Sequence, residues 1–176
     1  LGTGRTAKAI SAGGDVGHTC ALLDNASVKC WGDNTYGQLG QGDKSSRGDS
    51  LNEMGDNLPA INLQSESNAV SITTGARHTC VLLDDNNTKC WGYGGYGELG
   101  VGEAKVINKP PSEVIDLGTG RATAIVAGYN HNCVILDNSS IKCWGLNDSG
   151  QLGQGDTSNL GDGPNEMSDN LTVISL

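Results

Sequence analysis

Three stretches of the chain share one pattern of apolar and polar positions. In the first, residues 18–32, the apolar residues Leu22 and Val28 flank a polar turn, and two cysteines stand ten residues apart before a tryptophan and a glycine. The pattern recurs at residues 78–92 and 131–145. Apolar segments on either side of a short polar turn are typical of a β-hairpin. If Cys20 faces Cys30, then Leu22 faces Val28 and the turn carries one left-handed residue. The same register fits all three copies.

Further apolar segments bring each repeat to four strand candidates. No window shows a sustained helical period, so the pattern predicts an all-β protein. Apolar segments that end at Leu63, Leu117 and Leu176 divide the chain into repeats 1–63, 64–117 and 118–176. The predicted strands cover residues 6–12, 18–23, 28–32 and 58–63 in the first repeat, 69–74, 78–83, 88–92 and 113–117 in the second, and 122–127, 131–136, 141–145 and 171–176 in the third.

Four short strands in a repeat of this length are typical of a propeller blade. We therefore predict three four-stranded antiparallel propeller-type blades. Because a propeller closes with about four to eight blades, we expect them to form part of a larger propeller or of an open repeat array. The chain begins at Leu1 without an initiator Met or a signal peptide, and we expect it to be a piece of a longer or processed chain.

Composition narrows the classes of partner. The chain has 27 Gly and no Phe, which suits short strands joined by turns. Its net charge of −9 argues against nucleic acid and anionic membrane surfaces, because both require clustered Lys and Arg. No apolar run is long enough to span a membrane. An acidic surface could instead attract cations or basic partners.

The six cysteines form three pairs of identical spacing, each across one predicted hairpin. Directly opposed cysteines in an antiparallel ladder bring their Cβ atoms within disulfide range. We predict three disulfides and an oxidising compartment. Buried free thiols remain an alternative, and a metal site is a weaker one, because zinc favours cysteines two to four residues apart. The predicted pairs are Cys20 with Cys30, Cys80 with Cys90, and Cys133 with Cys143.

At these residues the sequence resembles the repeats of the regulator of chromosome condensation family. The resemblance rests on Gly17-His18-Thr19-Cys20, Leu22-Leu23-Asp24, Trp31-Gly32 and Tyr36-Gly37-Gln38-Leu39-Gly40, and it covers the whole chain in three copies. It implies a β-propeller, usually of seven blades. The cysteine pairs depart from the pattern usual in the nuclear members, and the basic tail with which those members hold chromatin has no counterpart here.

A histidine and a tryptophan recur in every repeat. Equivalent positions in successive blades lie far apart around an axis, so the three histidines are not expected to converge on one ion. The resemblance implies a structural histidine that bonds nearby backbone, and the tryptophans are predicted to anchor neighbouring sheets. These structural candidates are His18, His78, His131, Trp31, Trp91 and Trp144. No catalytic motif appears, and we predict neither enzyme activity nor a cofactor.

Two kinds of surface site are candidates. The long loops of the first and third repeats carry Asp43, Asp49, Asp156 and Asp162, which could hold calcium, although their spacing is not that of a helix-loop-helix calcium site. Packing or solvated loops are the alternative. Acceptor motifs for N-linked glycans stand at Asn25, Asn86, Asn138, Asn147 and Asn170, but Asn and Ser also simply suit turns.

The sequence thus favours a non-catalytic structural or interaction module outside the cell or at its surface. Its expected partners are proteins, above all further copies of itself or adjoining repeats, in a filament or a large surface protein. The resemblance also implies two alternatives, a guanine-nucleotide exchange factor and an enzyme inhibitor.

Overall fold

The computed structural model describes residues 1–15 and 17–175, and these form three antiparallel sheets. The first sheet holds β1 (Ala7–Ala12), β2 (His18–Leu23) and β3 (Val28–Gly32). The second holds β4 (Ala69–Thr74), β5 (His78–Leu83), β6 (Thr88–Gly94) and β7 (Lys105–Ile107). The third holds β8 (Ala122–Ala127), β9 (His131–Leu136) and β10 (Ile141–Gly145). Short 3₁₀ helices lie at Gly55–Asn57 and Ser168–Asn170. The all-β prediction is confirmed, and each sheet lies inside one predicted repeat.

The predicted hairpin register is confirmed. Cys20 lies opposite Cys30 and Leu22 opposite Val28, with the same pairing in the other two hairpins. The left-handed turn residue is also present, since Ala26 has φ 65° and its counterparts Asn86 and Ser139 have φ 66° and 67°. A local ten-residue spacing therefore fixes one hairpin geometry three times.

The outer strand differs from the prediction. Segments 58–63, 113–117 and 171–175 form no strand, and each touches its sheet through one backbone bond, such as the 2.8 Å bond from Ile61 N to Val28 O. In the second repeat β7 pairs with β6 instead, and in the others a single bridge joins Gly32 to Arg47 and Gly145 to Leu160. Alternating apolar residues suggested strands, but Ile61 is turned into the core. Leu176 lies outside the described residues.

The core lies between consecutive sheets. One cluster contains Leu22 of the first sheet and Ile72 and Trp91 of the second, and an equivalent cluster joins Leu82 of the second sheet to Trp144 of the third. Each sheet therefore buries its apolar side chains against its neighbour, and this packing sets the position of every side chain discussed below.

Candidate functional site

A disulfide closes each hairpin. The structure joins Cys20 to Cys30, Cys80 to Cys90 and Cys133 to Cys143, and the described residues contain no free cysteine. The six predicted positions are thus paired within their own hairpins. Because a bridged sulfur is neither a thiolate nucleophile nor a metal ligand, these cysteines carry structure rather than chemistry.

The histidine of the first sheet reaches across to the second. His18 Nε2 lies 2.8 Å from Thr79 Oγ1, and the Thr79 hydroxyl lies 2.8 Å from the Gln38 carbonyl, to which it donates. The same carbonyl accepts a bond of 3.0 Å from Trp91 Nε1. The histidine thus contacts a side chain of the next blade, whereas the resemblance implied a bond to nearby backbone.

The arrangement recurs at the second joint. His78 Nε2 lies 3.0 Å from Asn132 Oδ1, and Asn132 Nδ2 donates to the Glu98 carbonyl at 2.7 Å. Trp144 Nε1 donates to that carbonyl at 3.0 Å. A histidine and a carbonyl on one blade therefore meet an amide or hydroxyl and a tryptophan on the next. We call this set the blade joint.

Burial keeps the joint histidines neutral. It lowers the pKa of His18 to about 4, and the nearby His78 ring contributes to that shift. Burial likewise lowers the pKa of His78 to about 4. In both cases the bond to the next blade is made by a neutral imidazole, which costs less to bury than an imidazolium.

A lysine beside the second cysteine of each hairpin was missed by the sequence reasoning. Lys89 is 1% exposed, and its Nζ lies 2.9 to 3.1 Å from four backbone carbonyl oxygens, those of Leu63, Gln64, Pro111 and Ser112, which share its three N–H donors. Lys142 donates to two carbonyls and Lys29 to one. These lysines tie the linkers between repeats to the sheet. The available signal was the Lys-Cys-Trp-Gly sequence shared by all three copies.

The outward face of the first sheet is open. Ile10 is 68% exposed, whereas its counterparts Ile72 and Ile125, which pack on a preceding sheet, are 8% and 5% exposed. Trp31 is half-buried, although the other two tryptophans are fully buried. We call this the leading face. It presents the half of a blade joint that carries the tryptophan.

The outward face of the third sheet is also open, and it exposes the side that a following sheet covers in the first two repeats. Ile135 is 46% exposed, whereas its counterparts Leu22 and Leu82 are 3% and 4% exposed beneath the following sheet. Val126 beside it is 60% exposed, and His131 is half-buried. We call this the trailing face. It presents the half of a blade joint that carries the histidine.

The glycan acceptors fall into two groups. Asn25, Asn138 and Asn170 are exposed, whereas Asn86 is half-buried and its Nδ2 donates to the Ala122 carbonyl at 3.0 Å. Asn147 is fully buried, with its Nδ2 donating to Asp156 O at 3.1 Å and its Oδ1 accepting from Leu152 N at 2.9 Å. A glycan is attached through this nitrogen, so the prediction for Asn147 is wrong in the folded chain.

The acidic calcium candidates form hydrogen bonds with residues of their own loops. Asp43 accepts bonds from Asn34, Ser45 and Arg47, and Asp156 from Asn147 and Ser158. Asp49 and Asp162 likewise contact loop residues. Over residues 1–15 and 17–175, no group of three or more His, Cys, Asp or Glu side chains could hold a metal. The structure gives the calcium hypothesis no support.

Three sheets packed blade on blade, each with a disulfide hairpin, define the chain as a segment of β-propeller type. Within the described residues, no helix has the length and apolar character needed to cross a membrane. The sequence profile of the regulator of chromosome condensation (RCC1) repeat matches residues 7–38, 69–98 and 122–151. A second profile of that repeat matches residues 27–82 and 90–135. The chain belongs to this repeat family.

Its relatives are much longer proteins. The chain is 34% identical over 149 residues to the Arabidopsis thaliana ultraviolet-B receptor UVR8, covering 84% of this chain and 31% of that protein. It is 31% identical over 139 residues to the human probable E3 ubiquitin-protein ligase HERC6, covering 78% of this chain and 13% of that protein. It therefore spans less than a third of either.

A solved structure of yeast RCC1 (Prp20), bound to Kap60, shares the fold. It superposes with a TM-score of 0.72 at 20% identity over 97% of this chain and 37% of that one. At this identity the likeness shows the fold alone. The profile matches confirm the predicted family, and this superposition confirms the propeller-type blades.

Proposed function

We propose that the chain is a non-catalytic interaction module whose leading and trailing faces are completed by further repeats of the same type, outside the cell or at its surface. The observation that carries the proposal is the exposure of Ile10 beside its buried counterparts Ile72 and Ile125. The isoleucine at this position is buried in the second and third sheets, which have a preceding blade, and exposed in the first sheet, which has none among the described residues. Burying such a side chain contributes roughly 2 kcal/mol, so the open faces favour association.

The polar groups of the two faces also match. The trailing face offers His131 and the backbone of Gln151, which occupy the places of the histidine and carbonyl in the internal joints. The leading face offers Thr19 and Trp31, which occupy the places of the groups that bond them. A head-to-tail contact could therefore repeat the internal joint, and repetition builds a ring or a filament according to the rotation.

One position departs from this match. Thr73 Oγ1 accepts a 2.9 Å bond from Ala127 N, and Ser11 Oγ accepts a 3.0 Å bond from Thr74 N. Val126 stands at the same place on the trailing face and has no hydroxyl to offer. A contact at this face would therefore depend more on apolar burial than the internal joints do.

Three disulfides support an extracellular setting, because reducing compartments keep most thiols free. Exposed acceptors at Asn25, Asn138 and Asn170 are consistent with that setting. Mass spectrometry of the native protein should find glycan on at least one of these three if the source cell glycosylates. Unmodified peptides at all of them from such a host would remove this support.

Sedimentation tests the interaction module directly. The chain should associate with rising concentration, and Ile10→Lys should weaken association because it places a charge on the leading face. Leu51→Lys is the matched control, since Leu51 is 94% exposed in a loop. A wild-type chain that stays a compact monomer throughout would overturn the proposal, and so would equal effects of the two variants.

A further inference from the structure

The four tyrosines of the chain lie around Arg77: Tyr93 stands near the end of β6, and the other three stand on connections between strands. The rings of Tyr36 and Tyr93 meet edge to face with centroids 5.1 Å apart, and those of Tyr93 and Tyr96 with centroids 5.8 Å apart. Tyr129 lies on the connection between β8 and β9, close enough to Arg77 to influence the guanidinium. We call these four rings with Arg77 the tyrosine surface.

A cation already rests on one of these rings. The Arg77 guanidinium lies 5.2 Å from the Tyr36 ring centroid, and its Nη2 lies 2.6 Å from Asp15 Oδ2. Its Nε is buried and has no hydrogen-bond partner among the described residues. Within the chain itself, an aromatic ring and a carboxylate of this surface therefore already bind a guanidinium, that of Arg77.

An unpartnered acceptor lies beneath the surface. Glu98 is fully buried; its Oε2 accepts from Tyr96 N at 2.9 Å, while its Oε1 has no partner among the described residues. The first and third repeats have Gln38 and Gln151 here, and each amide donates to an aspartate of its own loop. The second repeat therefore places an uncompensated acid where the others place a neutral amide.

The charge balance of the surface is acidic. Asp15 and Glu98 lie near the Arg77 guanidinium, and Asp162 lies close enough to Glu98 to help raise its pKa. The chain as a whole carries a net charge of −9. An acidic protein attracts basic partners, and the buried Glu98 carboxyl, once ionised as pH rises through its pKa of about 7, strengthens that attraction locally because little water screens it.

We propose that the tyrosine surface binds a basic segment of a partner protein through arginine side chains laid on the tyrosine rings. Tyrosine and arginine are the residues enriched at the centres of protein interfaces. Tyr96 and Tyr129 remain 39% and 56% exposed and are free to receive a further guanidinium. The surface is formed by Tyr93 at the end of β6 and by the connections that carry the other three tyrosines, and none of these residues is among those that define the leading and trailing faces.

The test is a titration of the intact, disulfide-bonded chain with a short peptide of alternating glycine and arginine. A second peptide replaces each arginine by the neutral isostere citrulline. Backbone amide shifts report where each peptide binds. The arginine peptide should shift the amides of Tyr93, Tyr96 and Tyr129 in a saturable manner, and the citrulline peptide should not. Tyr96→Ala should weaken binding about threefold to tenfold, whereas Tyr96→Phe, which keeps the ring, should retain most of it.

Three results would overturn the proposal. The first is an absence of saturable shifts at the tyrosine surface. The second is equal binding of the citrulline peptide, or shifts spread over the acidic surface and unchanged by Tyr96→Ala, which would indicate unspecific attraction by the net charge. The third is that diluting the chain without any peptide changes the shifts of the same amides, which would mean that a second copy of the chain occupies the surface. Leu51→Ala, in an exposed loop away from the tyrosines, controls for the loss of a surface side chain.

Discussion

Replacing Glu98 by Gln should stabilise the protein at alkaline pH. Burial raises the pKa of the Glu98 carboxyl to about 7, from an ordinary value of 4.5. A carboxyl with a raised pKa holds its proton more tightly in the folded state, so its ionisation penalises folding as pH rises through that range. At about 1.4 kcal/mol for each pKa unit, the penalty approaches roughly 3 kcal/mol above pH 7 and vanishes near pH 4.5.

The substitution recovers part of that penalty. A glutamine can still accept the bond from Tyr96 N, as Gln38 does from Tyr36 N. In the first repeat the Gln38 amide donates a hydrogen bond to Asp33, but Tyr93 stands at the equivalent position in the second repeat. The new amide therefore has no carboxylate there to accept its hydrogen bond. A buried donor without a partner costs about 1 kcal/mol or more. We therefore expect a gain of about 1 to 2 kcal/mol near pH 8 and none near pH 4.5.

Urea unfolding followed by tryptophan fluorescence measures this difference at each pH. Glu66→Gln, at an exposed position, is the control and should change the free energy of unfolding little at any pH. A Glu98→Gln gain that is the same at low and high pH would contradict the reasoning, because it would show that packing rather than ionisation separates the two side chains. No gain at all would show that the carboxyl is already solvated.

Further predictions concern the blade joint and the hairpins. The pKa of His78 falls from 6.5 to about 4 on folding, so the free energy of unfolding should drop by up to about 3 kcal/mol as pH falls from 6.5 to 4. His78→Gln should therefore flatten the acid side of a curve of unfolding free energy against pH. Lys89→Met should cost about 3 kcal/mol in urea unfolding, because it removes three N–H donors shared among four carbonyls. Lys29→Met should cost about 1 kcal/mol, because it removes one bond, and equal costs would refute the carbonyl-binding role. Non-reducing peptide mapping should recover three intra-hairpin crosslinks, each stabilising by roughly 2 to 3 kcal/mol, and crosslinks between repeats would contradict this.

The sequence determined the local geometry of this protein. Cys20 and Cys30 are ten residues apart across a polar turn, and such a hairpin closes with few alternatives, so its register and left-handed turn residue followed from spacing. Threefold repetition then fixed the class of fold. The outer strand escaped prediction because alternating apolar residues look the same whether a segment pairs as a strand or turns Ile61 into the core.

Tertiary structure decided everything that joins one blade to the next. The bond between His18 and Thr79 spans 61 residues, and that between His78 and Asn132 spans 54. Such pairs depend on how sheets pack, which no local pattern encodes. The gathering of tyrosines from three repeats around Arg77 follows from the same packing. The sequence fixes each hairpin because its contacts are local, whereas the surfaces available to partners exist only once the sheets have stacked.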